Sequence, residues 1–435
     1  MLLAPWLLLA ANLATAQPQT APETVALTHV SVIDGTGAAP LADATIWISG
    51  GRITAVFASG SRPAPTGAKV EDLTGKWVIP GLIDAHVHLT GGAGDMARNR
   101  TRLGQLLLAG VTGVRDMAGD ARQLAALARD AHLEAPGWPD IYYSALMAGP
   151  TYFYEDTRVP GASRGFMIGS APWMRAVDET TDIRMAVAEA KGTGATGVKL
   201  YANLPADRVK EIAAEARRQG LLVWTHATIF PAKPSDAVAA GATSVSHTPY
   251  LVWEAAPHVP VDYRTRAFGD FTHIQPDDPK IVALLDQMKA RGTILDATLR
   301  VFQQSVARSP DAAGKGILPW SYAVTRAAHH AGVLVDAGTD SQGLASGAAD
   351  AGAAVADELV LLVEQCGFTP VEAIQAATQV SAMAVGQAAE RGTIAPGMAA
   401  DLVVLSADPS ADVRNVRKIV EVMKDGRVFR PAQKP

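Results

Sequence analysis

His86 and His88 lie two residues apart at the end of the apolar run 78–88. In an extended chain residues two apart project from one face, a spacing that suits two ligands on one metal ion. The pair alone decides nothing, because either ring can equally be a hydrogen-bonded core histidine. Further polar residues close other apolar runs: Lys199 in 197–201, His226 in 221–226, His247 in 243–247, and Asp340 in the turn after 333–337. Neutral imidazoles with a carboxylate suit zinc, with manganese, iron or cobalt as substitutes. Lys199 is the odd member. Among metal ligands it would lose its proton through burial and nearby positive charge, and the neutral amine could then take up carbon dioxide as a carbamate with two ligating oxygens. The competing reading is an ordinary lysine paired with a carboxylate such as Asp340. Strand alternation puts Lys199 and Tyr201 on one face and Val198 and Leu200 on the other, which keeps the metal-site reading open.

Residues so far apart in sequence share a site only if a fold gathers them. Eight strand-like runs, 78–88, 111–116, 141–146, 197–201, 221–226, 243–247, 293–298 and 333–337, alternate with helical patterns such as 207–219, 278–291 and 355–365. Strict alternation predicts an α/β chain with a parallel sheet, and eight units predict a closed (β/α)8 TIM barrel, whose strand ends converge on one mouth. Four of the ten histidines fall at that mouth; His29, His132, His258, His273, His329 and His330 lie elsewhere and read as surface or packing residues. No glycine-rich phosphate loop follows an early strand, which argues against an open dinucleotide-binding sheet. Short strand patterns at 24–33, 44–49 and 52–57 and at 401–405 and 418–429 can pair across the chain ends. The expected organisation is therefore a composite β-sandwich domain from 24–79 and 389–435 with the barrel, 80–388, inserted between its halves.

Composition narrows the function classes. The chain has 435 residues, 48% hydrophobic and 19% charged, with a formal charge of −5 and no basic run, so binding of nucleic acid through phosphates is not expected. Cys366 is the only cysteine, which excludes intramolecular disulfides and thiolate metal sites; it reads as a packing residue on a late helix. Residues 1–16, an apolar stretch ending Ala14-Thr15-Ala16, read as a signal peptide cleaved before Gln17, so a periplasmic or secreted location is expected. No later segment approaches the ~20 apolar residues of a membrane helix, so stable membrane insertion is not expected. The expected partner is a small-molecule substrate, with a homo-oligomer left open. The irregular stretches 146–180 and 249–277 are long enough to be lids or binding loops.

These residues together resemble the amidohydrolase superfamily. The resemblance rests on KWVIPGLIDAHVHL (76–89), GVTGVRD (110–116), GVKLY (197–201), WTHA (224–227), SVSHT (244–248), DAGTDS (336–341) and the tail 369–405, with SVIDGTGAAPLADATIWISGGRITAV (31–56) similar to the family's N-terminal strands. It covers nearly the whole chain after residue 30, and within the superfamily it is nearest to the imidazolonepropionase-related and Xaa-Pro dipeptidase-like hydrolases. The resemblance implies a binuclear centre of two divalent ions, zinc by expectation. His86 and His88 would hold one with Asp340, His226 and His247 the other, and Lys199, as N6-carboxylysine, would bridge them. It further implies that a metal-bridged hydroxide attacks the scissile carbonyl while Asp340 serves as general base and then acid.

The substrate expected is a dipeptide or N-acyl amino acid cleaved at its amide C–N bond. An arginine with a tyrosine could hold its carboxylate, and Tyr201, Tyr250, Arg300 and Tyr152 are the candidates. The bland alternative is that arginines such as Arg115 and Arg300 pair with Asp116 and Asp296 while the aromatics merely pack. Two other functions compete. A one-metal deaminase or a hydrolase of cyclic amides or lactones shares the fold, but such members usually lack the bridging lysine. A non-catalytic scaffold tends to lose metal ligands, and here all six positions are present.

Overall fold

A computed structural model describes residues 24–90, 96–133, 137–265, 269–308, 316–342 and 348–431. The proposed signal peptide, 1–16, lies outside the described residues. Eight strands, Leu82–His88, Val111–Asp116, Asp140–Ala148, Gly197–Leu200, Leu222–His226, Ser244–Ser246, Ile294–Asp296 and Val335–Asp336, pair parallel in sequence order. Beyond the eighth strand the chain continues along the first. Ala85 N donates to Ala337 O at 3.2 Å, Asp340 N to His86 O at 2.8 Å, and Ser341–Gln342 pairs with Val87 and His88. The barrel is thereby closed.

Helix Pro279–Arg291 illustrates how local sequence sets the connecting elements. Asp278 caps its first turn by accepting from Lys280 N, Pro279 occupies the first helical position, and Gly292 ends it in the left-handed region at φ 66°. Ile281, Leu284, Leu285 and Met288, at three- and four-residue steps, form its buried stripe.

The chain ends build a second, mixed eight-stranded sheet in which Trp77–Pro80 sits between Thr24–Val32 and Leu402–Leu405. All of Leu402–Leu405 is buried because the sheet has two apolar neighbours. Leu402 and Val404 join the sheet's own core with Leu27, Ile46 and Met423, whereas Val403 and Leu405 join the barrel core.

Two expectations need correction. The run 78–88 is two strands: Trp77–Pro80 belongs to the terminal sheet, and the barrel strand begins at Leu82. Gly81 makes the crossing, since a Cβ there would lie 2.2 Å from Thr112 Oγ1. The stretch 146–180 is also more ordered than its lack of periodicity suggests. It holds helix Pro150–Glu155 and the short strand Met174–Ala176, which pairs with the third barrel strand. Among the described residues, no helix is long and apolar enough to cross a membrane.

Candidate metal centre

The barrel mouth gathers the polar strand ends. His86 and His88 close the first strand, Lys199 lies in the fourth, His226 ends the fifth, His247 follows the sixth, and Asp340 follows the eighth. His247 and Asp340 adopt positive φ values of 81° and 48°, a backbone state that costs about 1–3 kcal/mol in a non-glycine residue and redirects the chain at those strand ends. One ligand atom from each of His86, His88 and Asp340 falls within 4.8 Å of the others. Asp340 Oδ1 is 3.2 Å from His88 Nε2 and 3.8 Å from His86 Nε2. The second histidine pair adjoins this cluster: the His247 ring centroid is 4.9 Å from both His86 and His226.

The outer nitrogen of every imidazole faces an acceptor. His86 Nδ1 meets Asp296 Oδ2 at 2.6 Å, His88 Nδ1 meets Ala118 O at 3.4 Å, and His226 Nδ1 meets Thr228 O at 2.8 Å. His247 Nδ1 meets Thr298 Oγ1 at 2.9 Å, and that hydroxyl donates its own proton to Ala297 O. In His86, His226 and His247 the hydrogen therefore lies on Nδ1, which assigns the Nε2 lone pair as the ligating one, whereas His88 faces an acceptor at both nitrogens, Ala118 O and Asp340 Oδ1. Burial holds His86 and His247 well below the usual histidine range, so both are neutral at neutral pH. Asp340 goes the other way. Burial pushes its carboxyl up, but His86, His88 and Lys199 outweigh it and keep the group ionised. Four imidazoles and an ionised carboxylate make a donor set that fits divalent metal.

Lys199 is 1% exposed and its Nζ donates to Ser246 Oγ at 3.1 Å. Burial pulls its amine down to about 7, with Arg115 acting in the same sense and Asp296 and Asp340 opposing. A buried lysine of this kind is a weak cation and an available nucleophile near neutral pH.

Beneath the ligands lies a charged layer that the strand-end pattern does not reveal. Arg115 is wholly buried and paired with Asp296 at 3.1 Å and Asp336 at 3.6 Å; its Nη1 also donates to Ser244 Oγ at 2.8 Å. Burial first, then the charge of Asp296, pushes Asp336 well above the carboxylate range. Gly338 is required here: a Cβ would sit 2.1 Å from Asp296 Oδ1 and 2.7 Å from His86 Cβ.

A pocket opens beside the cluster, with His88, Leu146, Tyr152, Arg158, Met174 and Tyr201 in its wall. Tyr152 and Tyr201 are thus at the site, their rings 5.0 Å apart, and Tyr201 meets His226 edge-on at 5.2 Å. Tyr250 also meets His226, at 4.4 Å, but lines a separate apolar pocket with Trp253, Phe271 and Phe302. Arg300 does not line the pocket of His88 and Tyr201. Its Nε is 3.0 Å from Asp357 of helix Ala348–Cys366, and its backbone N donates to Glu358. Arg115 pairs with Asp296, as the bland alternative for the arginines has it. Among the described residues, the arginine that reaches the pocket is Arg158, from the irregular stretch. Its one sequence signal is Asp156 two residues earlier, a spacing that permits a local chelate.

The sequence pattern of the Amidohydrolase family matches residues 77–429. The chain is 25% identical over 412 aligned positions to the ochratoxinase of Aspergillus niger, covering 81% of this chain and 75% of that protein. Two solved structures share the fold. An Xaa-Pro dipeptidase with bound methionine in its active site superposes with a TM-score of 0.74 at 20% identity, covering 94% of this chain and all of that one. The A. niger ochratoxinase structure superposes with a TM-score of 0.73 at 22% identity, covering 95% and 97% of the two chains. With the barrel, the strand-end donor set and a family match over most of its length, this chain belongs to the amidohydrolase family and is a hydrolase of carbon–nitrogen bonds.

Proposed function

We propose that the protein hydrolyses the amide bond of a dipeptide or N-acyl amino acid, using two divalent metal ions, zinc by donor chemistry, bridged by N6-carboxylysine at Lys199. The observation that carries this reading is the set of imidazoles whose Nδ1 atoms all meet acceptors, beside an ionised Asp340 and a buried lysine with a weakened proton. His86, His88 and Asp340 would hold one ion, His226 and His247 the other. Bound there, the metals would polarise the scissile carbonyl and lower the pKa of water to about 7. Asp340, ionised at neutral pH, accepts the proton of the attacking water and returns it to the leaving nitrogen. Tyr201, beside His226, can donate its phenolic hydrogen to the substrate, because burial keeps the phenol protonated.

Protein purified without chelator should contain close to two metal ions per chain and release a free amine from N-acyl amino acids. One ion per chain would sink the binuclear reading, and ammonia in place of a larger amine would favour the deaminase alternative. Export belongs to the same proposal: the mature protein should begin at Gln17, which N-terminal sequencing of the exported form tests.

A further inference from the structure

We propose that Arg158 determines substrate choice by holding a carboxylate on the leaving-amine side of the scissile bond, so that the substrates are N-acylated α-amino acids with a free carboxylate and an apolar side chain. This rests on the amide-hydrolase reading and deepens it. Among the described residues, Arg158 is the one arginine or lysine in the wall of the pocket that His88 opens from the metal side. Asp156 aims it: Oδ1 accepts from Arg158 Nε at 2.9 Å and Oδ2 from Nη2 at 2.6 Å, while Oδ1 also accepts from the Arg158 backbone N. That chelate occupies one edge of the guanidinium. The other edge, Nη1 and the second hydrogen of Nη2, faces the hydroxyls of Tyr201 and Tyr152, which hydrogen-bond the guanidinium here and whose place a carboxylate can take with a matching fork. Nη2 donates to the Tyr201 hydroxyl at 3.5 Å, which places this edge on the pocket side.

The spacing fits an α-amino acid. Tyr201 reaches from His226 to Arg158, so one phenol separates the guanidinium from the metal ligands. The carboxylate carbon of an N-acyl amino acid lies three bonds from the scissile carbonyl carbon, at most about 3.7 Å away. The phenols of Tyr152 and Tyr201 stand in the same wall and supply further O–H donors around the anion. Leu146, Val159, Ala162 and Met174 give the same pocket an apolar wall for a side chain. Beyond Arg158 the space becomes a polar basin shared with Thr157, Tyr263 and Arg264, so the guanidinium stands at the boundary between the amide-bond chamber and solvent.

The test compares N-acetyl-L-leucine with N-acetyl-L-leucinamide, which share the scissile bond and side chain and differ only in the carboxylate. On zinc-loaded protein, kcat/KM should favour the acid by about 10–100-fold, the worth of a charge-assisted pair. In Arg158→Met that ratio should fall to within about threefold, and Arg158→Lys should retain part of it, having charge without the fork. Calorimetric binding of L-leucine over L-leucinamide should weaken by the same factor in Arg158→Met. An unchanged ratio in Arg158→Met, or wild-type cleavage of acid and amide at equal rates, would overturn the assignment and leave the hydrolase reading standing. Wild-type protein that binds L-leucine through Arg158 yet cleaves neither compound would sink the hydrolase reading instead; neither binding nor cleavage would sink both.

Discussion

Asp296→Asn separates holding a metal from holding the fold. Asp296 Oδ2 accepts from His86 Nδ1 at 2.6 Å and from Arg115 Nη2 at 3.1 Å, and both contacts are buried. Asparagine preserves the volume and one acceptor oxygen but removes the charge that makes His86 a strong donor to a cation. Loss of such an outer partner typically lowers metal affinity 10–100-fold, or about 1.4–2.7 kcal/mol. The fold should suffer less than it would from an ordinary broken buried ion pair, about 3–5 kcal/mol. The reason is Asp336, 3.6 Å from Arg115 and pushed well above the carboxylate range by burial and by the charge of Asp296. With that charge gone, Asp336 can ionise and take over the guanidinium, leaving a stability cost of about 1–2 kcal/mol. Competition against a coloured chelator measures the affinity, and thermal unfolding of the metal-free variant measures the fold. Unchanged metal affinity would refute the role of Asp296 on His86. A metal-free protein destabilised as much as Asp296→Asn/Asp336→Asn would refute the handover to Asp336.

Three further outcomes follow from the same geometry. Gly338→Ala should cost about 1–3 kcal/mol of stability and most of the bound metal, because its Cβ would meet Asp296 and His86; full metal content by elemental analysis would refute it. With Lys199 at about 7, the neutral amine rises from about a tenth of the population at pH 6 to about nine-tenths at pH 8. Bicarbonate added while the metal-free protein is reloaded should therefore raise recovered activity several-fold more at pH 8 than at pH 6, and no bicarbonate effect at either pH would sink the carbamate. Glu358, which accepts from Leu299 N and Arg300 N, is pushed by burial to about 8. Between its ordinary value of about 4.3 and about 8 the folded chain holds a proton that the unfolded chain has lost, so this group makes stability fall as pH rises, by up to about 1.4 kcal/mol per pH unit. Denaturant unfolding of metal-free Glu358→Gln should show a flatter pH dependence, and an identical slope would exclude Glu358 as its source.

Much of the barrel is legible in the sequence because strands buried on both faces read as apolar runs, and a polar residue at the end of such a run stands out. The division of 78–88 is not legible for the same reason. Val78 packs into the sheet's own core and Ile79 into the barrel core, so hydrophobicity continues unbroken through the change of domain at Gly81. Asp296 is offered to the arginines by the sequence, but Asp336 is hidden, since a carboxylate inside a buried strand announces a partner but not which one; Arg115 reaches both only when the sheet closes. Arg300 and Arg158 show where the strand-end pattern stops. Arg300 follows the seventh strand closely, yet helix Leu299–Arg308 begins at once and Asp357 takes its guanidinium. Arg158 belongs to no strand. It reaches the mouth because helix Pro150–Glu155 folds the chain back and Asp156 fixes the side chain, two local events that leave no period in the sequence. Residues placed by the barrel's own backbone hold the metal donors, whereas those brought in by the loop wall the adjoining pocket. Periodic sequence signals therefore locate the chemistry of such a hydrolase more readily than its substrate, and substrate selection can change through the loop while the donor set stays in place.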